Sequence, residues 1–277
     1  MRSQLFVPGD RPERFAKALA SGADALILDL EDSVVPEGKG RAREAIATFL
    51  GERHPARIFV RVNPFGSEWA EADVAVAVTA DGIVLPKAEG AASVEALLAL
   101  APDAPPILPI ATETPRAIFA LGDYAGVADR LAGLTWGAED LPAAIGAATS
   151  READGSYTDP YRVVRALTLF GAHTAGVPAI ETVFPSIKDE AGLARYAAAG
   201  ARDGFTGMMA IHPAQVAAIN AAFTPSAEAL DHAARVVAAF AANPGAGALQ
   251  LDGSMIDAPH LKQARALLAR ADGMARR

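Results

Sequence analysis

The sequence predicts an α/β protein, specifically a (β/α)8 TIM barrel with a C-terminal helical extension. Three observations carry this expectation. Eight short apolar runs recur along the chain, helical patterns lie between them, and polar residues gather where the runs end. Short apolar runs without strict alternation suit strands buried on both faces, as in a parallel sheet. Alternating strands and helices then favour a closed barrel. An open doubly wound sheet is the alternative. The count of eight runs weakens it, as does the lack of a Gly-x-Gly-x-x-Gly turn after the first.

The runs are Leu5–Pro8, Ala25–Leu30, Ile58–Val62, Ile83–Leu85, Ile107–Ala111, Leu134–Trp136, Ala179–Val183 and Gly207–Ile211. Helices are expected over Pro12–Ala20, Lys39–Leu50, Ser93–Leu100, Pro115–Leu121, Pro160–Phe170, Asp189–Ala199 and Pro213–Phe223. Several open with proline, whose missing N–H costs nothing in a first turn. Beyond Phe223 the pattern changes. Ala227–Ala241 and Ala258–Arg270 read as helices, and the Gly-rich stretch Asn243–Gly253 between them reads as a loop. The expected organisation is a catalytic barrel over residues 1–223 and a helical arm over 224–277.

Composition bounds the function. The 277 residues carry a net charge of −8, and no run of Lys/Arg marks a phosphate-tracking surface, so nucleic acid is not an expected partner. The absence of cysteine excludes disulfides, thiolate metal sites and cysteine nucleophiles. No stretch is long and apolar enough for a membrane span, and the apolar start is too short for a signal-peptide core. A cytoplasmic location is the expectation.

Polar groups end five of the runs: Asp29, Glu31 and Asp32 on the second, Arg61 and Asn63 on the third, Lys87 and Glu89 on the fourth, Glu113 on the fifth, Glu139 and Asp140 on the sixth. Carboxyl ends of barrel strands form the mouth where such folds do chemistry. Mg²⁺ takes one or two protein carboxylates and leaves the remaining positions to water and substrate, a pattern Glu113 and Asp140 fit. The same two groups could instead pair with Arg61 and Lys87 in a structural network. Arg61 can grip a carboxylate with two parallel hydrogen bonds, or be held by Glu31 or Asp32. Lys87 at a strand end admits Schiff-base chemistry, but the crowding carboxylates favour its charged form. His212 reads as a loop histidine bonded to backbone rather than a catalytic one.

Taken together, several motifs resemble the citrate lyase beta-subunit family of the HpcH/HpaI aldolase and citrate lyase superfamily. They are Leu5-Phe6-Val7-Pro8-Gly9-Asp10-Arg11-Pro12-Glu13-Arg14-Phe15, Leu28-Asp29-Leu30-Glu31-Asp32-Ser33-Val34, Arg61-Val62-Asn63-Pro64, Leu85-Pro86-Lys87, Glu113-Thr114, Gly137-Ala138-Glu139-Asp140-Leu141, Ala210-Ile211-His212-Pro213 and Asp252-Gly253-Ser254-Met255-Ile256-Asp257. The resemblance implies a homotrimer that cleaves or forms C–C bonds in citryl-, malyl- or citramalyl-type thioesters. It implies that Glu113 and Asp140 bind Mg²⁺, that Arg61 binds substrate and steadies an enolate, and that Gly137, Ala138, Glu139 and Asp140 hold a carboxylate through backbone N–H groups. Asp257 would be a general acid/base given by the arm to a neighbouring subunit. Phe6, Arg11 and Lys17 would receive the CoA nucleotide, while Glu31, Asp32 and Lys87 would support the site.

Two positions depart from the family pattern. Met208-Met209-Ala210 stands where lysine is expected, and Glu181 where aspartate is expected. Four functions follow as alternatives: a stand-alone Mg²⁺-dependent acyl-CoA lyase or synthase, a beta subunit acting on a citryl acyl-carrier-protein thioester, an aldolase of free hydroxy-oxo acids, and a non-catalytic binder of oxaloacetate or CoA.

Overall fold

The structure, a computed structural model, describes residues 1–275. Its first compact unit is Met1–Phe223, and a second begins at Thr224.

In the first unit eight parallel strands alternate with helices: β1 (Ser3–Pro8), β2 (Ala25–Asp29), β3 (Arg57–Arg61), β4 (Gly82–Leu85), β5 (Ile107–Pro109), β6 (Leu134–Thr135), β7 (Ala179–Glu181) and β8 (Gly207–Ala210). The order is β5-β4-β3-β2-β1-β8-β7-β6. Parallel bridges Ile107↔Leu131 and Ile110↔Thr135 join the two ends of this ladder, so the sheet rolls into the expected (β/α)8 barrel. Each expected run overlaps one of these strands.

Alternation along the strands sorts residues to two faces. Ala25, Ile27, Phe59, Val84, Leu108, Ile110, Ile180 and Met209 form the interior cluster. Their neighbours Leu26, Leu28, Ile58, Val60, Ile83, Leu85 and Ile107 face the helices in the larger cluster. Inside, the Phe59 ring occupies the space beside Gly82, where any Cβ would overlap it. The same parity that points Ile27 and Phe59 inward also points Asp29 and Arg61 inward, one residue pair higher. They are register partners across β2 and β3.

The helices are α1 (Phe15–Leu19), α2 (Lys39–Leu50), α3 (Ala70–Ala77), α4 (Ala91–Leu100), α5 (Pro115–Phe119), α6 (Leu141–Ile145), α7 (Asp159–Ala175), α8 (Glu190–Asp203) and α9 (Val216–Phe223). Helices α3 and α6 were not expected from the sequence; α6 is only five residues long. In α3 the buried face is Ala70, Asp73, Val74 and Ala77, a helical spacing in which a charged residue sits on the inward side and masks the periodicity. Asp73 is tolerated there because it accepts from Asn63 Nδ2 at 2.6 Å and Arg43 Nη1 at 2.8 Å.

The second unit holds α10 (Ala227–Ala242), a two-stranded antiparallel hairpin of β9 (Ala248–Leu251) and β10 (Ser254–Asp257), and α11 (Ala258–Ala275). The hairpin corrects the reading of Asn243–Gly253 as a loop. Asp252 and Gly253 both have positive φ, 50° and 80°, as a two-residue hairpin turn demands. An Asp-Gly pair is a strong signal for that turn. Arg235 of α10 clamps the turn by donating to both oxygens of Asp252, at 2.8 and 2.7 Å. Ala233, Val236, Ile256 and Ala264 form this unit's small core.

Candidate active site

The mouth of the barrel is organised around Arg61. Its Nε and Nη2 donate to Asp29 Oδ1 and Oδ2 at 2.6 and 2.7 Å, a two-pronged pair inside the barrel. Its Nη1 lies 2.8 Å from Glu31 Oε2 and 3.8 Å from Asp32. The guanidinium also sits over the Phe6 ring, 4.8 Å from its centroid. Burial would lower the Arg61 pKa, but Asp29, then Glu31 and Asp32, overcome it and raise it above the usual value. Arg61 is therefore a fixed cation, aimed by Asp29. Asp29 itself is pushed up by burial and pulled down further by Arg61, Ser33 and the Glu31 N–H, ending below the usual carboxylate range.

Lys87 follows β4 with a left-handed backbone, φ 50°. Its Nζ donates to Glu31 Oε1 at 2.7 Å and lies 3.5 Å from Asp140. Burial opposes the charged form, but Glu31, Asp140 and Glu113 outweigh it and raise the pKa above the ordinary lysine value. An ammonium so held is a poor Schiff-base nucleophile. Its backbone N–H donates to Glu113 Oε2 at 2.6 Å.

Glu113 differs from the other carboxylates. It is buried, and among the described residues no ion pair holds it. Burial pushes its carboxyl up to about 8; the Lys87 N–H pulls it back, while the charges of Asp140 and Glu31 add to the rise. Asp140 stands at the start of α6 with its side chain capping nothing, and is one-third exposed. Arg61 and Lys87 are already contacted by Asp29, Glu31 and Asp140, and Glu113 adds a further carboxylate to the group. A buried carboxylate short of a cation suits a hard divalent ion, which prefers oxygen ligands. Gly137 makes room for this arrangement, since a Cβ there would stand 2.8 Å from Glu113 Cγ.

The Gly137–Asp140 turn is anchored at one end. Gly137 N–H donates to Thr112 Oγ1 at 3.1 Å, and that hydroxyl donates back to Gly137 O at 3.1 Å. Among the described residues no partner takes the N–H groups of Ala138, Glu139 or Asp140. Those three are available to an anion, whereas Gly137 is committed to Thr112.

The loop after β2 is held from behind. The buried Lys39 donates to Leu30 O, Glu31 O and Asn63 Oδ1 at 2.8, 3.1 and 2.9 Å. The structure thus brings together Phe6, Glu31, Arg61, Lys87, Glu113 and Asp140. Arg11 and Lys17 lie exposed on the turn and helix after β1, and Asp257 lies at the end of β10 in the second unit. Sequence reasoning did not single out Asp29, Thr112 or Lys39 for roles here. For Asp29 a signal existed: it shares inward parity with Ile27 and register with Arg61.

Two other expectations meet the geometry. His212 Nδ1 accepts from Ala214 N–H at 3.2 Å, so it is bonded to backbone. Glu181 is fully buried, accepting from Trp136 Nε1, Arg165 Nε, Tyr196 Oη and its neighbour Thr182 N at 2.6, 2.7, 2.8 and 3.0 Å. Its longer side chain ties β7 to α7 and α8.

The family model for HpcH/HpaI aldolase/citrate lyase matches residues 2–213, the span that contains this whole mouth. The chain belongs to that family. It is similar, at 42% identity over 96% of its length and 94% of the relative's, to a citrate lyase subunit beta-like protein of Mycobacterium tuberculosis. It is 35% identical to a (3S)-malyl-CoA thioesterase of Cereibacter sphaeroides, over 99% and 95% of the two chains. Among solved structures it resembles CitE of M. tuberculosis in complex with magnesium, acetoacetate and coenzyme A. That likeness has a TM-score of 0.84 at 38% identity and covers 98% of each chain. Citrate lyase beta-like proteins are thus its relatives over nearly the entire length. Among the described residues no helix is long and apolar enough to cross a membrane.

Proposed function

We propose that the protein is a Mg²⁺-dependent carbon–carbon lyase. It would cleave, or form, a 3-hydroxyacyl thioester of the citryl, malyl or citramalyl type, giving an acetyl or propionyl thioester and an oxo acid. The observation that carries the reading is Glu113, a buried carboxylate without an ion-pair partner beside Asp140 and a fixed arginine. The relatives' names support the same chemistry: one solved neighbour holds magnesium, a keto acid and coenzyme A together.

Glu113 and Asp140 would hold the ion, which supplies Lewis-acid polarisation of the oxo-acid oxygens. Arg61, aimed by Asp29, meets negative charge developing on the thioester oxygen; a preorganised cation in a dry site stabilises an enolate without having to reorient. The free N–H groups of Ala138, Glu139 and Asp140 orient the substrate carboxylate. Lys87 and Glu31 keep the rim in register. Phe6 stacks beneath Arg61, and Arg11 and Lys17 offer cations to the CoA phosphates. Asp257 exchanges a proton with the acetyl carbon, reaching the mouth of a neighbouring subunit in a homotrimer.

A mass-spectrometric screen of citryl-, malyl-, citramalyl- and methylmalyl-CoA, with Mg²⁺ and with EDTA, tests this. An acetyl or propionyl thioester plus an oxo acid, formed only with Mg²⁺, is expected. Cleavage that persists in chelator sinks the proposal. The kinship to a malyl-CoA thioesterase favours one second reading, hydrolysis of the thioester. The same screen then returns free CoA and the intact hydroxy diacid. Activity confined to an acyl-carrier-protein thioester would indicate a subunit of a larger complex. Binding without turnover would indicate a sensor of oxo acid or CoA.

A further inference from the structure

The second unit contains a pair that neither the family match nor the barrel explains. His260 Nδ1 lies 2.6 Å from Asp257 Oδ1, three residues apart at the junction of β10 and α11. The Asp257 N–H also points at the same nitrogen, at 3.2 Å. A single Nδ1 cannot accept from that N–H and donate to the carboxylate at once. The backbone contact needs Nδ1 as an acceptor. The contact of 2.6 Å to the carboxylate needs a proton between nitrogen and oxygen. A simple helix cap accounts for the first contact and leaves the second unexplained.

Among the described residues neither Asp257 nor His260 joins a second ion pair. Asp257 and His260 are each partly exposed, with side chains 34% and 48% accessible, so the imidazole can exchange protons with water while its Nδ1 stays on Asp257.

We propose that His260 is a positioning residue that holds Asp257 and carries protons between it and solvent. The inference rests on the lyase reading, in which Asp257 is the acid/base. In the cleavage direction the substrate hydroxyl releases its proton to solvent as the C–C bond breaks, and Asp257 gives its proton to the acetyl carbon and becomes a carboxylate. His260, neutral with its proton on Nδ1, passes that proton to the carboxylate while Nε2 takes one up from water, and exchange with water then restores the Nδ1–H form. In synthesis every transfer runs backwards. No oxidant or co-reactant is involved.

The test uses full-length wild type, His260→Gln, His260→Ala and Asp257→Asn. Glutamine keeps a side-chain acceptor for the Asp257 N–H at the third helical position, so the helix start survives. The first readout is exchange of the acetyl-CoA methyl protons in D₂O with Mg²⁺ and pyruvate, followed by NMR. His260→Gln is expected to exchange at least about tenfold more slowly than wild type, within the usual range for lost proton transfer. Its melting temperature should stay within about 2 °C of wild type, as for a surface change that keeps the cap. Added imidazole is expected to restore exchange in His260→Ala. The second readout is ¹⁵N NMR of the His260 ring, which needs no turnover: the Nδ1 resonance should report a proton shared with Asp257, and that signature should be lost when Asp257 becomes Asn. An Nδ1 resonance unchanged in Asp257→Asn overturns the pair. Wild-type exchange in His260→Gln overturns the relay while leaving the lyase reading intact. A wild type that neither cleaves the four CoA thioesters nor exchanges acetyl-CoA protons overturns the lyase reading and the relay with it.

Discussion

Glu113 and Arg61 show how differently two charged residues at one barrel mouth are treated. Arg61 is satisfied by the two oxygens of Asp29, whereas Glu113 is buried and accepts from the Lys87 backbone N–H. Glu113→Gln is therefore expected to fold at least as well as wild type, since it removes an ionisable group from a desolvated position. It should lose Mg²⁺ affinity by about two orders of magnitude, comparable to or beyond the effect of disturbing a ligand's support. Calorimetric titration of Mg²⁺ checks this, and wild-type affinity in the variant would exclude Glu113 as a ligand. Asp29→Asn has the opposite signature. It leaves Arg61 buried beside a neutral amide, so stability should fall by about 3 kcal/mol. Chemical denaturation measures that loss, and kcat/KM should drop with it.

At the scale of elements, short connections decide where these residues stand. The turn between β6 and α6 depends on Gly137, because a Cβ would crowd Glu113. Gly137→Ala is expected to displace that carboxylate and weaken Mg²⁺ binding about tenfold while thermal melting moves little, a split that titration and calorimetry resolve. At the other end of the barrel, Arg2 of the chain's start donates from Nη2, Nε and its backbone N to Asp24 at 2.8, 3.2 and 2.7 Å. Burial raises the Asp24 pKa, but the Arg2 bonds and charge prevail and hold it below the usual carboxylate value. A depressed folded pKa contributes stability above the unfolded value, near 4, and that stability is lost as pH falls through the folded value. Asp24→Asn should therefore be less stable than wild type by about 1 kcal/mol at pH 7. The gap should close as pH falls through the folded Asp24 value, as urea titrations across pH would record.

For the whole molecule, the proposed chemistry joins a barrel carrying Arg61, Glu113 and Asp140 to a separate unit carrying Asp257. If the arm serves a neighbouring subunit, two inactive chains complement each other. Mixing and refolding Arg61→Ala with Asp257→Asn should recover roughly a quarter of the wild-type rate or less, because only mixed mouths hold both intact groups. No recovery in co-assembled oligomers would mean that each chain completes its own site.

The legible part of this protein was what local pattern controls. Eight apolar runs announced eight strands, since burial on both faces leaves a strand almost no polar residues. The acidic strand ends announced a mouth. What escaped was set by contacts distant in sequence or by masked local signals. Helix α3 hid because Asp73 sits on its buried face, made acceptable by Asn63 and Arg43. The hairpin hid inside a glycine-rich stretch, although Asp252-Gly253 carried its turn. By itself the sequence determined the barrel, the order of its eight strands along the chain and the residue types at its rim, because strand and helix periodicity are local properties. Only the tertiary structure decided that Arg61 belongs to Asp29, that Lys87 belongs to Glu31 and Asp140, and that Glu113 has no ion-pair partner among the described residues. Those pairings depend on parity, register and burial across different strands, and charge type alone does not specify them.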